Sequence, residues 1–284
     1  MDTMSVNRTA AEINKLRQQT GAGMMDCRKA LVESNGDFEA AIDYLRKKGQ
    51  KVAALRGDRE AKEGVVIAKT TPDNKTGIII NLACETDFVS KNAEFVAFAQ
   101  SIIDVAIAKN VKSLEELNSQ NLGGATVTDK VNDQVAKIGE KISVSRFERV
   151  EAEAVAAYIH GANRMGVLVG LSKNTPQALE AGRDIAMQIA AMNPVAVDPQ
   201  SVPKETVERE RAIVTEQISS DPKMAGKPAE MIAKIADGKL NAFFKEQTLV
   251  AQVFVKDSSK TVADYLKSVA GDVKVVSFKR VALG

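Results

Sequence analysis

The chain has 284 residues, of which 44% are hydrophobic and 27% charged, a balance typical of a folded globular protein with about two domains. Lys and Arg number 39 against 37 Asp and Glu, and this net charge of +2 is far from the basic surface that binding to phosphate backbones requires. Aromatic residues make up only 4% of the chain, with no Trp, so few side chains could stack on bases. We expect no direct binding of nucleic acid.

Hydropathy and cysteine usage indicate a cellular compartment. No apolar run approaches the roughly 20 residues that cross a bilayer, and residues 1–16 lack the apolar centre of a signal peptide. Cys27 and Cys84 lie far apart in sequence, without a CxxC spacing or a nearby histidine, so we expect free, buried thiols in a reducing environment. The sequence therefore predicts a cytoplasmic protein with no membrane contact.

The N-terminal segment shows the periodicity of three short helices. The first is predicted over Ser5–Thr20 with Ser5 as its N-cap, and the second over Asp26–Glu33. Asp37 is predicted to cap a third helix, which ends near the basic residues that finish at Lys48.

Met24 and Met25 lie on a predicted loop, Gly21–Met25, between the first two helices. Two interpretations are open: the methionines fill the core, or they form an adaptable binding surface. Two adjacent side chains cannot both face inward on a short turn, which favours exposure.

Beyond residue 64 the same order of elements occurs twice. Gly77–Ile80 aligns with Gly166–Val169 as the second arms of two hairpins, and each hairpin leads into an alanine-rich helix. Phe147–Val150 aligns with Phe278–Val281, and this match extends back through an apolar helical pattern. The aligned helical positions are Val131, Val135 and Ile138 in the first copy, and Val262, Leu266 and Val269 in the second.

The pattern therefore predicts the same elements in each copy: strand, strand, helix, irregular segment, helix and strand. The predicted alanine-rich helices are Asn92–Ala108 and Pro176–Met192. The irregular part of the first copy, Lys109–Asp129, is polar, contains two adjacent glycines and is predicted to be poor in helix. These patterns predict an α+β fold with antiparallel strands.

The second copy carries an insertion of a different kind. Helical patterns over Pro203–Ser219 and Pro228–Gln247 are separated by a turn at 220–226, which predicts a helical hairpin. Its apolar stripe either closes within the hairpin or meets another copy of the chain, and the sequence does not choose between them.

The two copies differ where the hairpin meets the helix. The first copy has Cys84–Lys91 (CETDFVSK), whereas the second passes directly into Thr175 and Pro176, an N-cap and first helical position. Phe88 either caps the core, as most Phe side chains do, or lies on a surface turn within reach of a partner. Because the second copy lacks such a Phe, the fold alone does not require one, and both interpretations stay open.

Motifs of common catalytic sites do not occur in the sequence. There is no GxxxxGK[ST], GxGxxG, HExxH or GxSxG, and no paired His/Cys spacing for a metal. His160 is the only histidine, lies in the predicted turn of the second hairpin, and has no Ser or carboxylate constellation beside it. The sequence predicts a binding protein without catalytic residues, metal or cofactor.

Two long motifs resemble a known family. Leu16–Leu31 (LRQQTGAGMMDCRKAL) and Cys84–Lys91 are similar to the two signatures of bacterial elongation factor Ts. The resemblance continues through Tyr158–Gly161 and Arg164–Val169, so it covers nearly the whole chain. Asn81–Ala83 departs from the usual Glu, aliphatic, Asn of the family.

The resemblance implies a nucleotide-exchange factor that binds elongation factor Tu, in its GDP-bound and nucleotide-free forms, and promotes release of GDP. It implies that four residues disturb the magnesium and phosphate site of that GTPase, and that four others dock on it. The first set is Thr86, Asp87, Phe88 and Val89, and the second is Arg17, Met24, Met25 and His160. A homodimer through 194–250 occurs in some members.

Together with the repeat, the resemblance divides the chain into five parts. These are a three-helix domain similar to ubiquitin-associated domains at 1–50, a linker at 51–63, a first α+β subdomain at 64–150, a second at 151–193 and 251–284, and the inserted hairpin at 194–250.

Overall fold

The computed structural model describes residues 9–224 and 227–284, apart from the side chain of Lys223. It confirms an α+β fold of helices and antiparallel sheets. The chain divides into two compact units, which are described separately below. The first comprises Met1–Ile67, Ile79–Glu148 and Val281–Gly284, and the second comprises Ala68–Ile78 and Arg149–Arg280. Within the described ranges, no helix combines the length and the apolar character that crossing a membrane requires.

Three helices open the first unit, α1 (Ala10–Thr20), α2 (Met24–Glu33) and α3 (Phe38–Leu55). Thr9 caps α1 in a reciprocal box with Glu12, which satisfies main-chain N–H groups that the first turn would leave unpaired. The predicted N-cap Ser5 is therefore wrong, and Ser5 itself lies outside the described residues. The three helices enclose a small core at whose centre Leu16, Cys27 and Leu31 are fully buried.

Two of the predicted boundaries in this segment are wrong. Helix α2 already begins at Met24, so both methionines lie in its first turn rather than on a loop. Helix α3 continues past Lys48 to Leu55, so residues 51–55 of the predicted linker are helical. The added turns consist mostly of good helix formers, which local propensity favours once a helix has started.

The elements of the first repeat copy follow. They are β1 (Glu63–Thr70), β2 (Thr76–Cys84), α4 (Asp87–Ser90), α5 (Ala93–Ala108), α6 (Leu114–Ser119), β3 (Asn121–Leu122), β4 (Ala125–Thr126), α7 (Val127–Ile138) and β5 (Ser143–Glu151). The strand β2 is buried along its whole length and lies between β1 and β5. The prediction of a helix-poor segment at 109–129 is wrong for α6, which Ser113 caps, and the glycine pair forms the turn between β3 and β4.

The second copy contains the insertion. Its elements are β6 (Ala154–His160), β7 (Met165–Leu171), α8 (Pro176–Met192), α9 (Lys204–Ser219), α10 (Ala229–Gln247), β8 (Val253–Phe254), β9 (Asp257–Thr261), α11 (Val262–Ala270) and β10 (Val275–Ala282). The strand β7 lies between β6 and β10, as β2 lies between β1 and β5, which confirms the predicted repeat. Helix α8 packs on β6 and β7, and its N-cap is the predicted Thr175.

The predicted alignment of the last helix in each copy fits the C-terminal ends of the two helices. Helix α7 ends before Gly139 and α11 ends before Gly271, an offset of 271 − 139 = 132 residues, against 278 − 147 = 131 for the strands. Val131 and Val262 are both buried, as are Val135 and Leu266, the next aligned pair. The N-caps differ by 261 − 126 = 135 residues because α7, with 12 residues against 9, is longer at its N-terminal end.

The insertion forms the predicted helical hairpin of α9 and α10. Val214 and Ile218 of α9 and Leu240 of α10 are buried, whereas Ile213 and Met231 are exposed. Part of the apolar stripe thus closes within the hairpin. Residues 225–226 of the predicted turn lie outside the described residues.

Candidate functional site

Phe88 lies in α4, a single helical turn between the buried strand β2 and helix α5. Its side chain is 85% exposed, more than any other large hydrophobic residue identified as exposed in the described chain. The interpretation in which this ring caps the core is therefore wrong. A phenylalanine that gains nothing from burial in its own chain, and that sits on a turn supported by a strand and a helix, has the character of an anchor for a partner protein.

The main chain before Phe88 is held by the side chain of Glu140, which follows the C-terminal end of α7. Its Oε2 accepts hydrogen bonds from the main-chain N–H groups of Glu85 at 3.0 Å and Thr86 at 3.1 Å. Its Oε1 accepts a third, from the hydroxyl of Thr86, at 2.7 Å. Thr86 is therefore fixed by both its main chain and its side chain.

Glu85 makes the complementary contacts. Its Oε1 accepts from the main-chain N–H of Lys141 at 2.6 Å and from Arg56 at 3.0 Å, and its Oε2 accepts from Arg59 at 3.1 Å. The N–H of Lys141 and the two guanidinium groups outweigh the desolvation of the carboxyl, and they hold the pKa of Glu85 below its usual range. The ionised carboxylate joins the residues after α3 to the base of the Phe88 turn.

The other two predicted site residues flank Phe88. The carboxylate of Asp87 accepts a hydrogen bond from Lys91 at 2.6 Å, and this hydrogen bond with its ion pair lowers the pKa of Asp87. Both side chains are solvent-exposed. Val89 is half-buried. The four residues therefore form one continuous surface feature, with Thr86 anchored and Phe88 outermost.

The predicted docking residues of the N-terminal helices are exposed. Met24 is 52% and Met25 69% exposed in the first turn of α2, so the interpretation of these side chains as core filler is wrong. Arg17 is exposed in the last turns of α1, and its carbonyl accepts the N–H of Gly21, whose left-handed φ of 70° ends that helix. Exposed, adaptable methionine side chains suit a protein-binding surface.

His160 lies in the second unit, at the exposed end of β6. Its Nδ1 is 2.9 Å from the hydroxyl of Tyr158, and the two rings are 5.9 Å apart. This contact orients the imidazole on the surface of the hairpin.

Thiol chemistry is disfavoured at both cysteines. Cys27 and Cys84 are free and buried. Burial raises the pKa of Cys84 to about 12, and the negative charges of Glu140 and Glu63 contribute in the same direction. Burial also raises the pKa of Cys27. Both groups are therefore protonated at neutral pH and are poor nucleophiles.

Sequence patterns did not reveal Glu85 and Glu140 as parts of this site. Glu140 is 54 residues from Thr86 in the chain, and a glutamate after a helix usually lies in solvent. The one local signal was Gly139, which ends α7 in a left-handed conformation and sets the next residue on a turn.

Comparisons with known proteins agree with the resemblance. A family model described as Elongation factor TS matches residues 85–284. The chain is 50% identical over 276 residues to a protein named Elongation factor Ts from Christiangramia forsetii, which covers 97% of this chain and 98% of the relative. It is 48% identical to the protein of the same name from Flavobacterium psychrophilum and 49% identical to that from Cytophaga hutchinsonii, with the same coverage of both chains.

Proposed function

The chain belongs to the elongation factor Ts family, and from this premise we propose that it binds elongation factor Tu and promotes exchange of GDP for GTP. In this proposal it acts by binding in the cytoplasm, without chemistry of its own, without a cofactor, and without contact to nucleic acid or membrane. The observation that carries the proposal is the exposure of Phe88, at 85%, on a turn whose base is held by hydrogen bonds of Glu85 and Glu140.

The mechanism follows from how a GTPase holds its nucleotide. GDP is bound largely through its phosphates, and Mg²⁺ bridges those phosphates to the protein. We infer that Phe88 inserts beside the element of the partner that orders the metal, so that the metal and the phosphate contacts weaken together. Asp87 hydrogen bonds to the partner at the edge of the insertion, Val89 packs beneath the ring, and Thr86 fixes the base of the turn.

Linkage requires the effect to be mutual. A factor that weakens the binding of GDP is itself bound more weakly in the presence of GDP, by the same factor. Rebinding of nucleotide therefore releases the exchange factor.

We assign a docking role to Arg17, Met24, Met25 and His160. Their substitution should raise the concentration of factor that gives half-maximal exchange more than it lowers the maximal rate. The N-terminal helices would act as a domain similar to ubiquitin-associated domains, and the exposed part of the stripe on α9 and α10 would serve a homodimer through 194–250.

The test is release of fluorescent GDP from elongation factor Tu at saturating concentrations of factor. Phe88→Ala should lower the maximal rate by about 30-fold, the equivalent of the roughly 2 kcal/mol that defines a binding hot spot. The matched control is Leu55→Ala, which removes another large hydrophobic residue that is 76% exposed in the first unit. Both variants should unfold in urea like the parent. An unchanged maximal rate for Phe88→Ala would reject the proposal.

A further inference from the structure

We propose that Glu140 is a positioning residue for nucleotide exchange, which acts by holding the main chain of Thr86 so that Phe88 is presented to the partner. Together with Glu85 it forms a reciprocal clasp, defined here as the two carboxylates and the main-chain N–H groups of Glu85, Thr86 and Lys141. This inference rests on the proposed function, because it assigns Glu140 a part in the same step.

The clasp is reciprocal in its hydrogen bonds. The carboxylate of Glu140 accepts the N–H groups of Glu85 and Thr86 at 3.0 and 3.1 Å, and the carboxylate of Glu85 accepts the N–H of Lys141 at 2.6 Å. Each turn therefore supplies an acceptor to the main chain of the other. Hydrogen bonds to ionised acceptors are stronger than those between neutral groups, so the pair constrains the relative position of the two turns.

Positive charge lies beside the clasp. Arg56 and Arg59 contact the carboxylate of Glu85 at 3.0 and 3.1 Å. The ammonium of Lys141 donates to the carbonyls of Gly57 at 2.6 Å and Arg59 at 2.8 Å, so the segment after α3 is tied to the same place. The clasp thereby joins three segments of the first unit.

The hydroxyl of Thr86 bonds to the clasp instead of capping its own helix. A threonine at an N-cap usually accepts a hydrogen bond from the N–H groups of the first turn. Thr86 is the N-cap of α4, yet its side chain makes no such bond and instead donates to Glu140 at 2.7 Å. The start of α4 is therefore fixed from outside the helix, by a residue on the other turn.

An exposed aromatic ring needs this support more than a buried one. Phe88 is 85% exposed, so packing within its own chain does little to restrict it. A binding group that is ordered before the partner arrives loses less conformational entropy on binding, and displacement of a key group by about 1 Å can cost on the order of 100-fold in rate. Glu140 would supply that order from the side opposite the partner.

The experiment combines Glu140→Ala with Phe88→Ala in a double-mutant cycle on the maximal rate of GDP release. We expect Glu140→Ala to lower the maximal rate by about 10-fold, to change the half-saturating concentration by less than about 3-fold, and to have no further effect when Phe88 is already alanine. Hydrogen exchange followed by mass spectrometry should show faster exchange at residues 84–92 in Glu140→Ala, and unchanged exchange in α8.

Glu140→Gln keeps the volume of the side chain and one acceptor oxygen, so its maximal rate should lie between those of the parent and Glu140→Ala. If Glu140→Ala does not fold, Glu140→Gln takes its place in the cycle with Phe88→Ala. A parent-like maximal rate in Glu140→Ala, or equal losses from this substitution with and without Phe88, would overturn the inference. Full activity of Phe88→Ala alone would instead reject the proposed role of Phe88, and with it any role of Glu140 through that ring.

Discussion

The side-chain amide of Gln188 donates a hydrogen bond to the amide oxygen of Gln252 at 3.1 Å, and both residues are buried in the second unit. Gln188 also donates to the carbonyl of Val253 at 3.0 Å and accepts the N–H of Val255 at 2.8 Å. Gln252 donates to the carbonyl of Glu246 at 2.8 Å. A polar side chain near the C-terminal end of α8 thus fixes the segment that returns from the inserted hairpin to the core.

Gln188→Leu should destabilise the protein by about 2 kcal/mol, because main-chain groups of Val253 and Val255 lose their partner where an apolar side chain cannot replace it. Urea unfolding monitored by circular dichroism would measure the loss. The matched control is Gln177→Leu, the same substitution at an exposed position of the same helix, which should stay within about 0.5 kcal/mol of the parent. An equal loss of unfolding free energy in the two variants would show that the buried amide network contributes nothing to stability.

Replacement of Gly49 by Ala tests the packing of α3 against α7. Glycine in a helix is usually less stable than alanine by about 0.5–1 kcal/mol. At Gly49, however, an added Cβ would lie 3.0 Å from the carbonyl oxygen of Asn132 and 3.1 Å from the Cβ of Ala136, so α7 would have to move away by a few tenths of an ångström, and the closer of these atoms belongs to its main chain. Gly49→Ala should therefore destabilise by about 1–3 kcal/mol, the usual cost of overpacking.

Gly238 provides the control for that prediction. It lies inside α10, and an added Cβ would meet no atom within 4 Å. Gly238→Ala should therefore stabilise α10 by about 0.5–1 kcal/mol. Thermal unfolding of both variants gives the comparison, and a Gly49→Ala protein at least as stable as the parent would contradict the close approach of α3 and α7.

Much of the fold could be predicted because its signals are local. The hairpin arm at Gly77–Ile80, the cap and proline at Thr175 and Pro176, and the helical periodicity of the inserted hairpin each determine structure within a few residues. The repeat predicted the order of the elements along the chain in both copies, since a pattern that occurs twice is more specific than either copy alone.

The support of the site could not be predicted, because it depends on contacts between distant residues. Glu85 and Glu140 are ordinary surface residues by composition, and only the folded chain brings them together. Gln188 likewise interrupts an apolar helix face without any local sign of its partners. The exposure of Phe88 was open in the sequence for the same reason, since burial depends on what the rest of the chain covers.

Acid should weaken the clasp by protonating Glu85. The N–H of Lys141 and the guanidinium groups of Arg59 and Arg56 keep the pKa of this carboxyl below its ordinary value. A lowered pKa in the folded state means that the stabilisation is fully present above the unfolded pKa, about 4.3, and is lost as the pH falls through the folded value. The difference in free energy of unfolding between the parent and Glu85→Gln should therefore be constant from pH 7 to about 5 and shrink below about pH 4.

Urea unfolding at several pH values between 3 and 7 would measure this dependence. Glu208→Gln, on the exposed side of α9, makes the same change in charge away from the clasp and controls for net charge. If parent and Glu85→Gln differ in free energy of unfolding by the same amount at pH 3 and pH 7, the ionised form of Glu85 contributes nothing to stability.

The cysteines should react with thiol reagents only when the protein opens. A thiol with the ordinary pKa of about 8.5 is roughly one-quarter ionised at pH 8. With its pKa raised to about 12, Cys84 is ionised to only about one part in ten thousand, and it is also buried. In a Cys27→Ser variant, where Cys84 is the remaining thiol, labelling by an aromatic disulfide reagent at pH 8 should be slower than that of free cysteine by about 1,000-fold or more. Urea should restore the fast rate.

Because Glu140 contributes to the raised pKa of Cys84 and holds the adjacent turn, adding Glu140→Ala to the Cys27→Ser variant should accelerate labelling of the native protein. Rapid labelling of native Cys84 with Glu140 intact would show that the base of the Phe88 turn is open, and would contradict the anchored geometry on which presentation of that ring depends.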